Sequence, residues 1–256
     1  MKLGLVTYNL ARGWDIETII ARCESSGFEA VEFRTTHAHG VEVSLDGAQR
    51  AAVRRRFEDS GVRQLSLGST CEYDSVDPDV VRANVELTNK IVDLAVDIGA
   101  AGVKVRPNAL HEDEGIPTEK TLEQIGTALR ECGKHAEDTL VSIWLEVHGR
   151  ETQHPPHIRR IMEAADHPKV GVCWNSNMDD VVDGSVAEYF ELLRPWLMSV
   201  HINNLWNREY PYRELFGLLK DAGYEGYCLA EIAEVSAEPD TFMRYYAALF
   251  GELQRD

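Results

Sequence analysis

The chain of 256 residues has 26 Lys and Arg against 43 Asp and Glu, which gives a formal net charge of −17. This charge argues against nucleic acid as a partner, because phosphate binding depends on cationic surface, and it argues equally against an anionic membrane surface. Hydrophobic residues make up 44% of the chain, which is typical of a compact folded domain rather than a disordered chain.

The N-terminal segment and the cysteines predict a cytoplasmic protein. The first apolar run is broken by Thr7, Tyr8 and Asn9, and no stretch approaches the roughly 18 apolar residues that cross a bilayer. The chain has five scattered cysteines, Cys23, Cys71, Cys132, Cys173 and Cys228. Their odd number and the lack of CxxC spacing indicate reduced thiols.

Short apolar, β-branched runs alternate along the chain with longer amphipathic runs. The short runs predict eight strands, over residues 2–9, 28–34, 62–68, 101–106, 140–148, 169–175, 197–203 and 225–232. Apolar residues three or four apart predict helices between them, most clearly over 16–26, 80–100, 121–136, 212–223 and 240–254.

Capping residues mark the expected ends of these helices. A left-handed residue after a helix is easiest for glycine, and four glycines occupy such positions: Gly27, Gly61, Gly99 and Gly223. Side chains suited to N-caps stand at Asp15, Asp77 and Thr118.

Eight successive strand–helix units predict an α/β fold, a single-domain (β/α)8 TIM barrel that spans residues 1–256. The alternative is a doubly wound open sheet, which usually carries fewer strands and a glycine-rich phosphate turn after the first of them. The corresponding turn reads TYNLARGWD and lacks GxGxxG, so the barrel is favoured.

Polar residues at every second position near the ends of the last four strands predict a metal site. Side chains alternate between the two faces of a strand, and this alternation directs Glu146, Asn175, His201 and Glu231 to one end of the barrel. Two carboxylates, an imidazole and an amide oxygen suit Mn²⁺ best, with Mg²⁺, Co²⁺ or Zn²⁺ as alternatives. The cation would also offset two buried negative charges.

Inward positions on other strands supply candidates for substrate binding. The guanidinium groups of Arg34 and Arg106 suit a carboxylate or a phosphate of the substrate. Lys104 either contacts substrate or forms a structural ion pair with Glu32 inside the barrel. His37, in the THAHG loop, is either a substrate contact or a solvated loop residue.

Two further inward residues follow strands five and seven. His148 lies two residues after Glu146 on the same face, so it is expected to bind a substrate hydroxyl or to orient Glu146. Asn203 follows His201 at the same spacing and is another candidate for contact with substrate.

With these residues in place, the chain resembles the sugar phosphate isomerase/epimerase superfamily. Its domain is the xylose isomerase-like TIM barrel, and it includes the ketose 3-epimerases. The resemblance covers nearly the whole chain and is most specific in LEVHG, KVGVCWN, SVHINN and GYEGYCLAEI. It implies a divalent metal held by Glu146, residue 175, His201 and Glu231. It also implies that Glu146 and Glu231 form the acid/base pair, one on each side of the substrate.

One departure from the family's pattern concerns the second metal ligand, which is an aspartate where this chain has Asn175. An amide oxygen can coordinate but brings no charge, so metal affinity should fall or metal preference should change. Met178 stands where the family often has a histidine, and Asn177 and Asp179 are candidates to replace it. The family's sugar-contacting arginine corresponds best to Arg208.

The function expected from these residues is that of a divalent-metal-dependent sugar isomerase or epimerase. It would abstract a proton next to a carbonyl and pass through an enediolate, with a small sugar or sugar derivative as substrate. One alternative is a metal-dependent lyase or dehydratase that acts on a sugar acid or an inosose. Another is a non-catalytic carbohydrate-binding relative, which Asn175 favours. The resemblance also suggests a homo-oligomer.

Overall fold

The computed structural model describes residues 1–255 and shows eight parallel strands closed into one barrel. The strands are β1 (Lys2–Val6), β2 (Ala30–Arg34), β3 (Arg63–Gly68), β4 (Gly102–Val105), β5 (Ser142–Glu146), β6 (Val170–Asn175), β7 (Leu197–Ile202) and β8 (Tyr227–Ala230). Each strand pairs with the next, and β8 closes the barrel against β1. The predicted TIM barrel is confirmed, and every predicted strand is present within a few residues of its expected ends.

One α-helix follows each strand. The helices are α1 (Ile16–Ser26), α2 (Gly47–Glu58), α3 (Pro78–Ile98), α4 (Thr118–His135), α5 (Pro155–Ala165), α6 (Ala187–Leu193), α7 (Tyr212–Asp221) and α8 (Pro239–Leu253). Short 3₁₀ turns lie at Glu112–Glu114, Met178–Asp180 and Arg194–Trp196. Across residues 1–255, no helix combines the length and the apolar character that a membrane span requires.

Most of the predicted helix caps are confirmed. The Asp15 and Asp77 carboxylates accept hydrogen bonds from backbone N–H groups in the first turns of α1 and α3. Gly27, Gly99 and Gly223 adopt the left-handed conformation, with φ of 79°, 80° and 70°. These caps satisfy backbone groups that the helix itself leaves unpaired.

Two predicted caps are wrong. α2 ends earlier than expected, with Asp59 as its C-cap, and the backbone N–H of Gly61 instead donates to Glu24 Oε1 at 2.9 Å. α4 begins earlier than expected, with Pro117 as its N-cap, so Thr118 is already helical. The Thr118 hydroxyl donates to the Glu112 carboxylate rather than to the helix.

The barrel interior is apolar toward the amino ends of the strands, here called its lower part, and charged toward their carboxyl ends. A small apolar cluster fills its lower part and includes Ala30, Trp144, Cys173 and Leu229. Each of these residues stands two positions before a polar residue on the same strand: Glu32, Glu146, Asn175 and Glu231. Because side chains two apart share a face, the polar residues lie one level closer to the carboxyl ends of the strands. This is the end at which TIM barrels carry their active sites.

Candidate metal centre and active site

Glu146, His201 and Glu231 converge at the carboxyl end of the barrel. They come from β5, β7 and the residue after β8, and each offers one ligand atom within 4.8 Å of the others. His201 Nδ1 lies 3.2 Å from Glu146 Oε1 and 3.9 Å from Glu231 Oε2. Within residues 1–255, this is the only group of three or more His, Cys, Asp or Glu side chains that meets this spacing.

A third carboxylate, that of Glu32, lies behind the His201 ring. His201 Nε2 is 3.2 Å from Glu32 Oε1, although the two atoms are not aligned as a hydrogen bond. Ser66 Oγ donates to the other Glu32 oxygen at 2.8 Å. A carboxylate on the far side of the imidazole is typical of metal-binding histidines, because it fixes the ring and its tautomer.

Lys104 contacts Glu146 rather than Glu32. Its Nζ donates to Glu146 Oε2 at 2.7 Å, and both side chains are almost fully buried. Burial acts to lower the pKa of Lys104, but Glu146, Glu32 and Glu231 outweigh it, so the pKa is raised. Lys104 is therefore a buried ammonium that holds one oxygen of Glu146.

The carboxamide of Asn175 bridges two other site residues. Its Nδ2 donates to Glu146 Oε1 at 3.0 Å, and its Oδ1 accepts from Asn203 Nδ2 at 3.0 Å. The amide of Asn175 therefore presents its nitrogen, not its oxygen, to Glu146. To serve as a metal ligand, Asn175 has to turn its oxygen inward and give up the bond from Asn203.

The two glutamates of the cluster have pKa values shifted in opposite directions. Burial opposes ionisation of Glu146, but Lys104 and His201 outweigh it and hold its pKa well below the usual range. Burial and the neighbouring Glu146 carboxylate raise the pKa of Glu231. A pair of carboxyl groups with opposed shifts is the arrangement expected of an acid and a base that work together.

The donor set fits a divalent cation. Ligand atoms at about 2.0–2.2 Å from an ion lie at most about 4.4 Å apart, so the spacing in the cluster needs only a small contraction. Three buried carboxylates, Glu32, Glu146 and Glu231, face one ammonium, that of Lys104. Burial acts to lower the pKa of His201, but Cys173 and Glu32 outweigh it and raise that pKa well above the usual range. A histidine has to give up this proton to bind a metal. The cluster then carries two net negative charges, which a divalent ion would cancel.

Arg34, Arg106 and His148 lie beyond the cluster, toward the mouth of the barrel. The Arg34 guanidinium lies over the Tyr8 ring, with its Cζ 4.9 Å from the ring centre. Arg106 forms an ion pair with Glu72 from the loop after β3, a partner that the sequence did not suggest. His148 is half-buried, and burial lowers its pKa, so the imidazole is neutral near pH 7.

The remaining predicted contacts differ in their surroundings. His37 is half-buried, and its Nδ1 has no hydrogen-bond partner among residues 1–255. Asn177 Nδ2 donates to the Val147 carbonyl, and its backbone N–H donates to Asp180 Oδ2, so both groups support the loop after β6. Arg208 is exposed in the loop after β7. Substrate contact by these residues stays a prediction.

A buried polar chain supports the same loop and was not predicted. Trp174 Nε1 donates to the Tyr210 hydroxyl at 3.0 Å, and that hydroxyl donates to Asp180 Oδ2 at 3.3 Å. Burial raises the pKa of Asp180 well above its usual range, and its Oδ1 has no partner among the described residues. Asp180 is therefore a buried acid that ionises less readily than an exposed aspartate.

The fold and the site together define a (β/α)8 barrel with a candidate metal centre at the carboxyl ends of its strands. The family model described as the xylose isomerase-like TIM barrel matches residues 20–245. The chain therefore belongs to the xylose isomerase-like TIM barrel family, which confirms the resemblance seen in the sequence.

Solved structures show the same fold at low sequence identity. D-psicose 3-epimerase from Clostridium cellulolyticum H10, solved with D-tagatose, aligns over 100% of both chains with a TM-score of 0.82 and 15% identity. The 3-keto-D-glucoside 4-epimerase YcjR from E. coli aligns over 99% of both chains with a TM-score of 0.79 and 16% identity. A zinc-bound IolI protein aligns over 99% of this chain and 96% of its own, with a TM-score of 0.74 and 15% identity. No curated protein matches the chain in sequence.

Proposed function

We propose that this protein is a divalent-metal-dependent sugar isomerase or epimerase that removes a proton next to a carbonyl. The observation that carries the proposal is the convergence of Glu146, His201 and Glu231 at the carboxyl end of the barrel. The similar structures support it, because they include a D-psicose 3-epimerase with D-tagatose and a 3-keto-D-glucoside 4-epimerase.

The proposed metal ligands are Glu146, His201 and Glu231, with Asn175 as a fourth ligand once its amide turns. We propose Mn²⁺ as the ion, with Mg²⁺, Co²⁺ and Zn²⁺ as alternatives, and the similar IolI structure contains zinc. When bound, the ion would polarise the substrate carbonyl and stabilise negative charge on its oxygen.

Glu146 and Glu231 supply the proposed proton transfers. Lys104 keeps Glu146 ionised through the contact to its Oε2, while Glu231 lies beside it and is partly open to the mouth. One glutamate takes the carbon-bound proton, which leaves an enediolate of the substrate. The other returns a proton either to the opposite face of the same carbon, which is epimerisation, or to the adjacent carbon, which is isomerisation.

The residues nearer the mouth would hold the rest of the sugar. His148 follows β5 two residues after Glu146 and is proposed to bind a substrate hydroxyl, as are His37, Asn177, Asn203 and Arg208. A small-molecule sugar substrate and a homo-oligomeric state remain proposals. So does a cytoplasmic location, which the five free cysteines favour.

Solvent exchange tests the proposal. The protein is incubated in D₂O with D-fructose, D-psicose or D-tagatose, with Mn²⁺ or after treatment with EDTA, and the sugars are followed by NMR. We expect deuterium at a carbon next to the carbonyl only when the ion is present. Glu231→Gln should abolish this exchange, whereas Glu234→Gln, which removes a nearby carboxylate outside the cluster, should not. Exchange that persists in Glu231→Gln or in EDTA would contradict the proposed roles.

A second candidate function is a non-catalytic carbohydrate-binding protein. The observation that favours it is the Asn175 amide, which presents nitrogen rather than oxygen toward Glu146. Such a protein would bind sugars but show neither exchange nor Mn²⁺ binding in the same experiment. A lyase or dehydratase would instead reveal itself by the rising absorbance of an unsaturated product.

A further inference from the structure

Three side chains form an outer layer directly above the charged interior of the barrel. They are Arg34, the last residue of β2, and Arg106 and His148, which follow β4 and β5. Each stands two residues beyond an inner residue, namely Glu32, Lys104 and Glu146. Two residues of extended chain advance about 6.6 Å. Glu32 contacts His201, and Lys104 contacts Glu146, so the inner residues belong to the candidate metal centre itself. The outer layer therefore covers one side of the approach to that centre.

The outer layer is cationic in a strongly acidic protein. Arg34 ends β2 and Arg106 directly follows β4, while Lys104 lies two residues before Arg106. Unmatched positive charge in this layer would attract an anion to the mouth of the barrel.

Arg34 is the cation of this layer whose charge is left unmatched. Arg106 is neutralised by Glu72, and Lys104 by Glu146. The half-buried Arg34 guanidinium rests on the face of Tyr8 and contacts no carboxylate within residues 1–255. This is unexpected in a chain with 43 acidic side chains, because a half-buried charge normally finds a partner. A guanidinium held over an aromatic ring, with none of its N–H groups bonded to residues 1–255, keeps its donors free for a ligand.

We infer that the substrate is an anionic sugar derivative whose carboxylate pairs with Arg34 while its carbonyl end lies over Glu146 and Glu231. The inference rests on the proposed function for the position of the reacting end. Because the strands of a TIM barrel are tilted by about 36°, the two layers lie about 5.3 Å apart along the barrel axis, which suits a monosaccharide-sized acid. The planar fork of an arginine matches a carboxylate through two parallel hydrogen bonds.

A carboxylate fits this mouth better than a phosphate. TIM barrels commonly hold phosphate at the loops after strands seven and eight, beside a helix N-terminus. In this chain those loops carry Glu209, Glu234 and Glu238 against one cation, Arg208, and Asp240 stands in the first turn of α8. Their negative charges would repel a phosphate group at that position.

Binding of matched sugar pairs tests the inference without turnover. The probes are D-fructuronate against D-fructose and D-tagaturonate against D-tagatose, which differ only in a carboxylate for a hydroxymethyl group, together with D-fructose 6-phosphate. Dissociation constants are measured calorimetrically on the inactive Glu231→Gln protein, with and without Mn²⁺. We expect each keto acid to bind about 10- to 100-fold tighter than its neutral partner, the range that a charge-assisted hydrogen bond supplies.

Arginine variants identify the side chain that causes the preference for the keto acid. Arg34→Gln should abolish the preference for the keto acid, whereas Arg63→Gln should retain it, because Arg63 is exposed at the opposite end of the barrel, where β3 begins. Equal affinities for acid and neutral sugar, or an unchanged preference in Arg34→Gln, would overturn the inference. Tighter binding of D-fructose 6-phosphate than of D-fructuronate would overturn the carboxylate assignment. A retained preference in a protein that shows no deuterium exchange would refute only the proposed reaction.

Discussion

Asn175→Asp is the substitution that most directly probes the candidate metal centre. Asn175 is almost fully buried, and its Nδ2 lies 3.0 Å from Glu146 Oε1. The substitution replaces this donor with a carboxylate oxygen and therefore places two like charges side by side. The substitution should lower the free energy of unfolding of the metal-free protein. It should also raise the affinity for a cation, because a cation bound by both carboxylates would remove their repulsion.

The size of both effects follows from the same distance. Two unit charges 3.0 Å apart repel by about 5 kcal/mol at an effective dielectric constant near 20. The Lys104 ammonium and uptake of a proton by one carboxyl reduce this, which leaves a loss of about 2–4 kcal/mol in the free energy of unfolding. Since about 1.4 kcal/mol corresponds to a factor of ten, an ion that relieves this repulsion should bind about 30- to 700-fold tighter.

Thermal unfolding and calorimetry measure the two effects separately. In EDTA, Asn175→Asp should lower the Tm by about 4–16 °C, and added Mn²⁺ should raise it more than in the parent protein. Asn204→Asp is a matched control, because Asn204 Nδ2 also donates to a glutamate, Glu234, at 3.3 Å, but outside the cluster. Unchanged Mn²⁺ affinity in Asn175→Asp, or an equal gain in Asn204→Asp, would refute the reasoning.

Three further substitutions test other parts of the structure. Lys104→Met removes the cation beside Glu146 and should lower the free energy of unfolding by about 3–5 kcal/mol in EDTA, with partial recovery in Mn²⁺; urea titrations that show no loss would contradict the buried ion pair. Because the pKa of Asp180 is raised in the folded state, its stabilising contribution is present below its unfolded pKa and is lost as pH rises through the folded value. Asp180→Asn should therefore gain stability relative to the parent from pH 5 to pH 8, and an equal difference at both pH values would refute the raised pKa. Gly102→Ala places a Cβ 2.3 Å from the Trp144 ring and should cost about 1–3 kcal/mol, measured by thermal unfolding, while Trp144→Phe in the same chain should recover part of it.

The barrel and the convergence of the charged residues could be predicted because both depend on local patterns. Strand runs and capping residues are read from neighbouring positions, and parallel strands bring their carboxyl ends to one edge. Glu146, His201 and Glu231 each stand on the inward face at a strand end, so their meeting at this edge follows from that periodicity. No long-range information is needed for this step.

The pairings inside the barrel could not be predicted, because they depend on how far each strand is shifted against its neighbours. Lys104 could reach either Glu32 or Glu146 from an inward position on β4, and only the closed barrel shows that it contacts Glu146. The orientation of the Asn175 amide depends on Asn203, which belongs to a different strand–helix unit. The sequence pattern carries no signal for such a choice.

A crystal of the protein soaked in Mn²⁺ and measured at the manganese absorption edge tests the central claim most directly. We predict one anomalous peak within about 2.5 Å of Glu146, His201 and Glu231 together. A peak elsewhere, or none at full soaking concentration with Lys104 Nζ still bound to Glu146, would contradict the proposed metal centre.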